Sequence, residues 1–194
     1  NLGGGAFAPA ASYTTGITTI GGNSMSIRTG DGDIGGDIDV LAVTMGGFGG
    51  PSGEVRMFRN LGDGTLGMVG PVFPPGFGFA PVVGGAVLSL NGDNRPDAVI
   101  VRDLGVQFPF IQVIAAVCNP DGSFTGTSAF HEVTLDATGD LDGDGDTDLL
   151  LKEQGELFGP PPSLLYPTLN LGDGTFAAGP SFDLPLPNGY QVAG

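Results

Sequence analysis

The sequence predicts an all-β fold, arranged as a propeller-type array of about three four-stranded antiparallel blades. Heavy use of turn residues, 37 Gly and 16 Pro, fits many short strands joined by turns, and no segment shows sustained helical spacing. Two short motifs recur along the chain at similar intervals. The hydrophobic fraction of 40% is too high for a disordered chain. We expect the array to be open or to be part of a larger propeller.

The first motif is a hairpin signature that occurs in four copies. Residues 60–66 (NLGDGTL) and 170–176 (NLGDGTF) are nearly identical, and residues 118–124 and 1–7 fit the same frame. Asp-Gly between apolar flanks favours a tight primed turn, because these residues tolerate positive φ. Each copy therefore predicts a hairpin tip, in which the aligned positions are Gly4, Asp63, Asp121 and Asp173.

The second motif is an acidic nine-residue loop that occurs in three copies. The copies start at residues 31, 89 and 140, so their spacings are 58 and 51 residues, and each is followed by an apolar run. A period near 50 residues with several strands per unit is typical of a propeller or an array. Each unit is expected to contain a strand before the loop, a strand after it, and two strands joined by the hairpin.

We interpret residues 1–194 as a single repeat domain. It divides into a partial blade at 1–24, repeats at roughly 25–81, 82–131 and 132–186, and the start of a further blade at 187–194. In the third repeat, the predicted strands are 132–135, 149–152, 164–169 and 176–182. The Gly/Pro-rich segments 46–53 and 71–81 are predicted to be loops.

The third loop carries carboxylates at five alternate positions, Asp140, Asp142, Asp144, Asp146 and Asp148. Carboxylates this close repel one another unless a cation lies among them. Oxygen ligands favour calcium over zinc or copper, and Gly145 at the sixth position permits a sharp turn. An EF-hand would need a glutamate at the twelfth position, where this chain has Leu151, so Asp148 at the ninth position is expected to close the site.

The other two loops carry fewer charges and predict weaker calcium binding. The first has Gly35 at the fifth position, so a water or a displaced Asp37 would have to compensate, and its candidate ligands are Asp31, Asp33, Asp37 and Asp39. The middle loop is poorer in charge, and its candidate residues are Asn91, Asp93, Arg95 and Asp97. One to three calcium ions are expected, with the strongest site at 140–148. The alternative is that these aspartates only cap turns.

The charge of -15 with 6 Lys+Arg argues against nucleic acid and anionic membranes as partners. Of 21 acidic residues, 11 lie in the three loops, which points to cation sites. No apolar segment is long enough for a membrane helix. The single Cys118 is expected to be a buried free thiol, and the lone His131 lacks the partner that a catalytic base needs, so no enzymatic activity is expected.

The third loop, followed by NLGDGTF at 170–176, closely resembles the FG-GAP or VCBS repeat of integrin-α-like β-propellers, and residues 79–101 match more loosely. The resemblance implies calcium ligands at loop positions 1, 3, 5 and 9 and a main-chain carbonyl at position 7. In the third loop these are Asp140, Asp142, Asp144 and Asp148, with the carbonyl of Asp146.

The expected function is a structural or adhesive role outside the cell, where calcium is millimolar. Partners would be other blades of the same protein or identical subunits, and an extracellular protein or glycan. A self-assembling filament or surface-layer subunit is the first alternative. A lectin, or part of a polysaccharide-degrading enzyme, is the second, although the chain has no Trp and 3 Tyr to stack on sugars.

Overall fold

The computed structural model describes residues 12–13, 25–32, 36–44, 55–71, 82–104, 111–154 and 164–183. Within these ranges the chain forms strands joined by loops, and no residue is helical. Most of the predicted partial blade at 1–24, the further blade at 187–194 and the predicted loop at 46–53 lie outside the described residues. The predicted loop at 71–81 also lies outside them except for Pro71, which is the last residue of a strand, so the loop prediction was wrong there.

Among the described residues, twelve of the thirteen strands form three antiparallel four-stranded sheets, and in each sheet these strands follow chain order. Sheet 1 contains β1 (Met25–Gly30), β2 (Asp39–Thr44), β3 (Val55–Asn60) and β4 (Leu66–Pro71). Sheet 2 contains β5 (Val82–Leu88), β6 (Asp97–Asp103), β7 (Ile111–Cys118) and β8 (Phe124–His131). Sheet 3 contains β9 (Val133–Gly139), β10 (Asp148–Glu153), β11 (Leu164–Asn170) and β12 (Phe176–Ala178). The prediction of an all-β chain with three such sheets is confirmed.

Sheet 3 departs from the predicted strands at both ends. Its fourth strand is interrupted after β12, and a short β13 (Phe182–Asp183) pairs with the start of β11. Pro180 lies in the interruption, and it has no N–H to donate to the ladder. Glu132, predicted to begin the first strand, instead has a φ of 59° and lies between β8 and β9. The strand prediction was therefore wrong at Glu132.

The sheets stack face to face through two apolar layers. The layer between sheets 1 and 2 contains Leu41, Val43, Val55, Met57, Val82, Val87, Ala98, Ile100 and Ala116. The layer between sheets 2 and 3 contains Leu88, Leu90, Val99, Val101, Val113, Ala115, Leu149 and Leu151. Alternate residues of β6 point to opposite layers. Sheet 2 is therefore covered on both faces, which explains its unbroken apolar run.

Stacking has a direction that repeats from sheet to sheet. Val99 and Val101 of sheet 2 share a layer with Leu149 and Leu151 of sheet 3. The two valines are the second and fourth residues after the last aspartate of their loop, whereas the two leucines are the first and third residues after the last aspartate of theirs. The same offset joins sheets 1 and 2, where the corresponding residues are Leu41, Val43, Ala98 and Ile100. Sheet 2 thus uses one face toward sheet 1 and the opposite face toward sheet 3, and the contacting positions are the same in both pairs of sheets.

Hairpin tips also contact the preceding part of the stack. The Thr127 hydroxyl of β8 donates to the Gly174 carbonyl of the third hairpin, and the Tyr13 hydroxyl donates to the equivalent Gly64 carbonyl at 3.3 Å. A Cβ atom at Gly122, the equivalent residue of the second hairpin, would lie 2.6 Å from a backbone oxygen of β4. Glycine at this position therefore allows the close approach of neighbouring segments.

Candidate metal centre

Each acidic loop connects the first and second strands of its sheet, and each hairpin connects the third and fourth. The predicted positions of both motifs are confirmed for the described copies. The sixth loop residue has a positive φ in every sheet, 79° at Gly36, 60° at Asn94 and 97° at Gly145. Asparagine tolerates this conformation better than most residues with a Cβ, so the middle loop keeps the same turn without a glycine at its sixth position.

The ninth loop aspartates, Asp39, Asp97 and Asp148, are fully buried. Each joins its loop to the hairpin of the same sheet. Asp148 accepts the Leu141 N–H on Oδ2 and the Asn170 N–H on Oδ1, both at 2.7 Å. The equivalent donors are Leu90 and Cys118 for Asp97, and Gly32 and Asn60 for Asp39, at 2.8 to 3.1 Å. These aspartates therefore have a structural role in every sheet, whatever they bind besides.

Burial and hydrogen bonding have opposite effects on the pKa of the Asp97 carboxyl. Desolvation raises its pKa to about 6, against the two backbone N–H groups of Cys118 and Leu90, which favour the ionised form. The charge of Asp93 raises the pKa further, whereas Arg95 lowers it. A cation beside this carboxylate therefore favours the charged state that accepts both hydrogen bonds.

The third loop brings three predicted ligands together. One carboxylate oxygen each from Asp140, Asp142 and Asp148 lies within 4.8 Å of the others. Oxygens with this spacing can bind one metal ion together, so the three side chains could hold a cation. Among the described residues it is the one group of three or more such side chains with this spacing.

Backbone hydrogen bonds hold these carboxylates in the turn. Asp140 accepts the N–H groups of Gly143 and Gly145 at 2.7 and 3.2 Å, and Asp142 accepts that of Asp144 at 3.2 Å. The pKa of the Asp142 carboxyl is raised, by desolvation first and also by the charges of Asp144 and Asp148. Such crowding is what a bound cation would relieve.

Asp144, the predicted fifth-position ligand, lies outside this group of three. Its carboxylate accepts the N–H of Asp146 at 2.9 Å. Asp146 at the seventh position directs its side chain to the hairpin. If Gly172 of that hairpin carried a Cβ atom, the atom would lie 2.8 Å from Asp146 Oδ2. This side-chain direction is consistent with the resemblance, which assigns the backbone carbonyl of Asp146 to the metal.

In the first loop, Asp37 also points to its hairpin. Its Oδ2 lies 2.8 Å from the Cβ position of Gly62, the same relationship as in sheet 3. The carboxylate expected to replace the missing fifth ligand is thus directed toward the hairpin. Asp31 accepts the Gly36 N–H at 3.0 Å, and both Asp33 and Gly35 lie outside the described residues.

The middle loop is arranged around an ion pair. The Arg95 guanidinium contacts the Asp93 carboxylate, and its Nε donates to the Cys118 carbonyl at 2.9 Å. The Asn91 side chain donates to Asp93 Oδ2 at 2.9 Å. Two predicted metal ligands, Asn91 and Asp93, are therefore hydrogen-bonded to each other, and the positive charge of Arg95 lies beside them.

The hairpins are wider than the predicted primed turns. In the first, the Leu61 N–H donates to the Thr65 carbonyl at 3.0 Å, and Asp63 accepts both the N–H and the hydroxyl of Thr65. In the three described tips, only the glycines have positive φ, whereas a type I′ turn needs it at the aspartate as well. The hydrogen bonds from the threonine or serine lower the pKa of the three tip aspartates, Asp63, Asp121 and Asp173.

The first hairpin residue has a role that the sequence analysis missed. Asn170 is 1% exposed. Its side-chain amide donates to the Leu90 carbonyl of the second loop at 2.9 Å and to the Thr147 carbonyl of the third loop at 3.3 Å. Asn60 likewise donates to the Ile38 carbonyl at 3.3 Å. The recurrence of asparagine as the first residue of three motif copies was the available signal.

The remaining candidates lie apart from the loops. His131 is exposed, and its Nε2 lies 3.1 Å from the Gln112 amide nitrogen.

The first strands of the sheets line a groove of about 430 Å³ that includes Arg28, Gly84, Thr134 and Asp136. No helix among the described residues is long and apolar enough to cross a membrane.

No protein family model matches the chain, and no curated protein or solved structure is detectably similar to it.

Proposed function

We propose that this chain is a calcium-stabilised repeat protein of the β-propeller type with a structural or adhesive role outside the cell. The observation that carries the proposal is the third loop, where three carboxylates lie within 4.8 Å at the same place that two other sheets use for acidic loops. The resemblance to calcium-binding propeller repeats supports the choice of cation. The directional stacking of three sheets supports the propeller-type arrangement.

Calcium would be held by Asp140, Asp142 and Asp148, and it would supply positive charge to a crowded group of carboxylates. The stabilisation would extend beyond the loop, because Asp148 also accepts the Asn170 N–H, and the Asn170 side chain binds the second loop. The ion would thus strengthen the contact between sheets 2 and 3.

Thermal unfolding with calcium and with excess chelator tests this function. Calcium should raise the melting temperature of the natural chain, and Asp142→Asn should remove most of that difference. The control is Asp136→Asn, which changes an exposed aspartate of β9 outside the loop and should leave the calcium effect intact. Identical melting curves with calcium and chelator would rule out the metal centre.

The groove along the first strands supports a recognition role. Its lining residues include Thr134, Asp136 and Arg28, whose side chains carry a hydroxyl, a carboxylate and a guanidinium, together with Gly84 and Gly85. Hydroxyl and carboxylate groups suit the hydroxyls of a glycan, whereas the arginine suits an acidic group on the same ligand. Binding of uronic-acid oligosaccharides that is lost in Arg28→Gln and Asp136→Asn would support this role, and equal binding by both variants would contradict it.

Self-assembly is a second candidate, favoured by the outward face of sheet 3. Leu150 and Lys152 occupy the positions that Val99 and Val101 use to bind the next sheet, yet both are only half-buried. Phe182, which pairs with Leu165 beside Lys152, is 54% exposed. Light scattering with calcium distinguishes the candidates. Large assemblies would support a self-assembling subunit, and a monomer would support a module that associates with blades outside this chain.

A further inference from the structure

The second loop keeps the turn of the other loops but lacks their charge. Its first and third positions are Ser89 and Asn91, which are neutral, and the carboxylates that remain are Asp93 and Asp97. Arg95 replaces the seventh-position aspartate found in both other loops. This loop is nevertheless joined to its hairpin as in the other sheets. Asp97 accepts the Leu90 N–H of the loop and the Cys118 N–H of the hairpin, both at 2.8 Å.

Arg95 makes the contacts that would hold this loop in place. Its guanidinium pairs with one oxygen of the Asp93 carboxylate. The other carboxylate oxygen accepts the backbone N–H of Arg95 at 3.0 Å. Its Nε donates to the Cys118 carbonyl at the start of the hairpin, at 2.9 Å. The side chains of Arg95 and Asp93 are 35% and 22% exposed, so water screens this pair less than it screens a pair on the open surface.

The third loop offers a direct contrast at the same positions. Asp144 stands where Asp93 stands, and Asp146 stands where Arg95 stands. An aspartate at the seventh position reaches the hairpin but brings a further negative charge, whereas Arg95 reaches the hairpin and neutralises the fifth-position carboxylate. Residues 140–148 include no basic residue, so a cation that neutralises their carboxylates would have to come from outside the loop.

We propose that Arg95 is the tethered cation of the second loop and takes the place of a metal ion there. Sheet 2 then keeps its loop and hairpin together without calcium, while sheet 3 depends on the ion. The middle of the stack is a metal-independent unit, and calcium controls the sheet that docks on it. The contrast with sheet 3 rests on the proposed function, but the role of Arg95 does not.

Melting in excess chelator tests the role of Arg95 without reference to bound calcium. Arg95→Gln should lower the melting temperature by on the order of 5 °C, because Asp93 loses its cation and the Cys118 carbonyl loses its donor. Arg28→Gln is the matched control, since the exposed Arg28 donates to the neighbouring Ile27 carbonyl, and it should melt within about 2 °C of the natural chain. Equal melting of the Arg95 variant and the natural chain would overturn the proposal.

Equilibrium dialysis with calcium tests the contrast between the loops. Asp93→Asn should leave the number of bound calcium ions unchanged, and Asp142→Asn should lower it by one. A loss of bound calcium in Asp93→Asn would show that the second loop takes the metal, which overturns the proposal. If the natural chain binds no calcium but Arg95→Gln still lowers the melting temperature, the proposed function fails and the role of Arg95 stands.

Discussion

The side-chain amide of Asn170 in sheet 3 donates to the carbonyl of Leu90 in the second loop, at 2.9 Å. The backbone of each residue extends this link, because the Asn170 N–H binds Asp148 and the Leu90 N–H binds Asp97. A continuous path of hydrogen bonds therefore joins the buried aspartate of the third loop to that of the second. Two loops that lie in different sheets are coupled through one asparagine.

Replacing this asparagine should weaken the contact between the sheets. Asn170→Ala removes three side-chain hydrogen bonds, two donated to the Leu90 and Thr147 carbonyls and one accepted from the Gly172 N–H. The Leu90 carbonyl loses the Asn170 donor, which should cost about 1 to 3 kcal/mol. For a chain of this size that corresponds to a fall in melting temperature of about 2 to 4 °C per kcal/mol. Asn119→Ala is the control, because the Asn119 amide binds exposed hydroxyls within its own hairpin. Equal losses in the two variants would contradict a special role for Asn170.

Two glycines at the same hairpin position separate backbone strain from packing between sheets. Gly64 and Gly174 have φ values of 86° and 80°, so alanine at either should cost about 1 to 2 kcal/mol. A Cβ atom at Gly174 would also lie 2.7 Å from Val117 Cγ1 in sheet 2, whereas no atom of the described residues lies within 4 Å of one at Gly64. Gly174→Ala should therefore lower the free energy of unfolding by about 1 to 3 kcal/mol more than Gly64→Ala. Similar values in chemical denaturation would mean that the sheets do not pack as closely as described.

Much of this arrangement follows from local chemistry that the sequence displays. The positions of the hairpins and loops were predictable, because Asp-Gly pairs and alternating aspartates restrict the backbone within a few residues. The contacts of Asn170 and Arg95 were not, since both depend on which segments the tertiary fold brings together. The direction of stacking also escaped prediction. It depends on which face of each strand meets its neighbour, and a strand such as 98–101 is apolar on both faces.

The Cys118 thiol should be almost unreactive in the folded protein. It is 2% exposed, and its pKa is raised to about 11, by burial first and also by the charge of Asp97. At pH 8 only on the order of one thiol in a thousand would be the reactive thiolate. Labelling by a disulfide reagent should be slow in the native chain and fast in denaturant, while Ser181→Cys, at an exposed site, should add one rapidly labelled thiol. Rapid native labelling of Cys118 would contradict its position in the structure.

Calcium titration by calorimetry tests the central claim most directly, using the natural chain and the double variant Asp140→Asn/Asp142→Asn after removal of bound metal. The third loop should give the natural chain at least one calcium site that the double variant lacks, because the variant loses two of the three grouped carboxylates. Circular dichroism should show that the variant keeps its β-sheet content. Equal calcium binding by the two proteins, or none by the natural chain at millimolar calcium, would contradict the account.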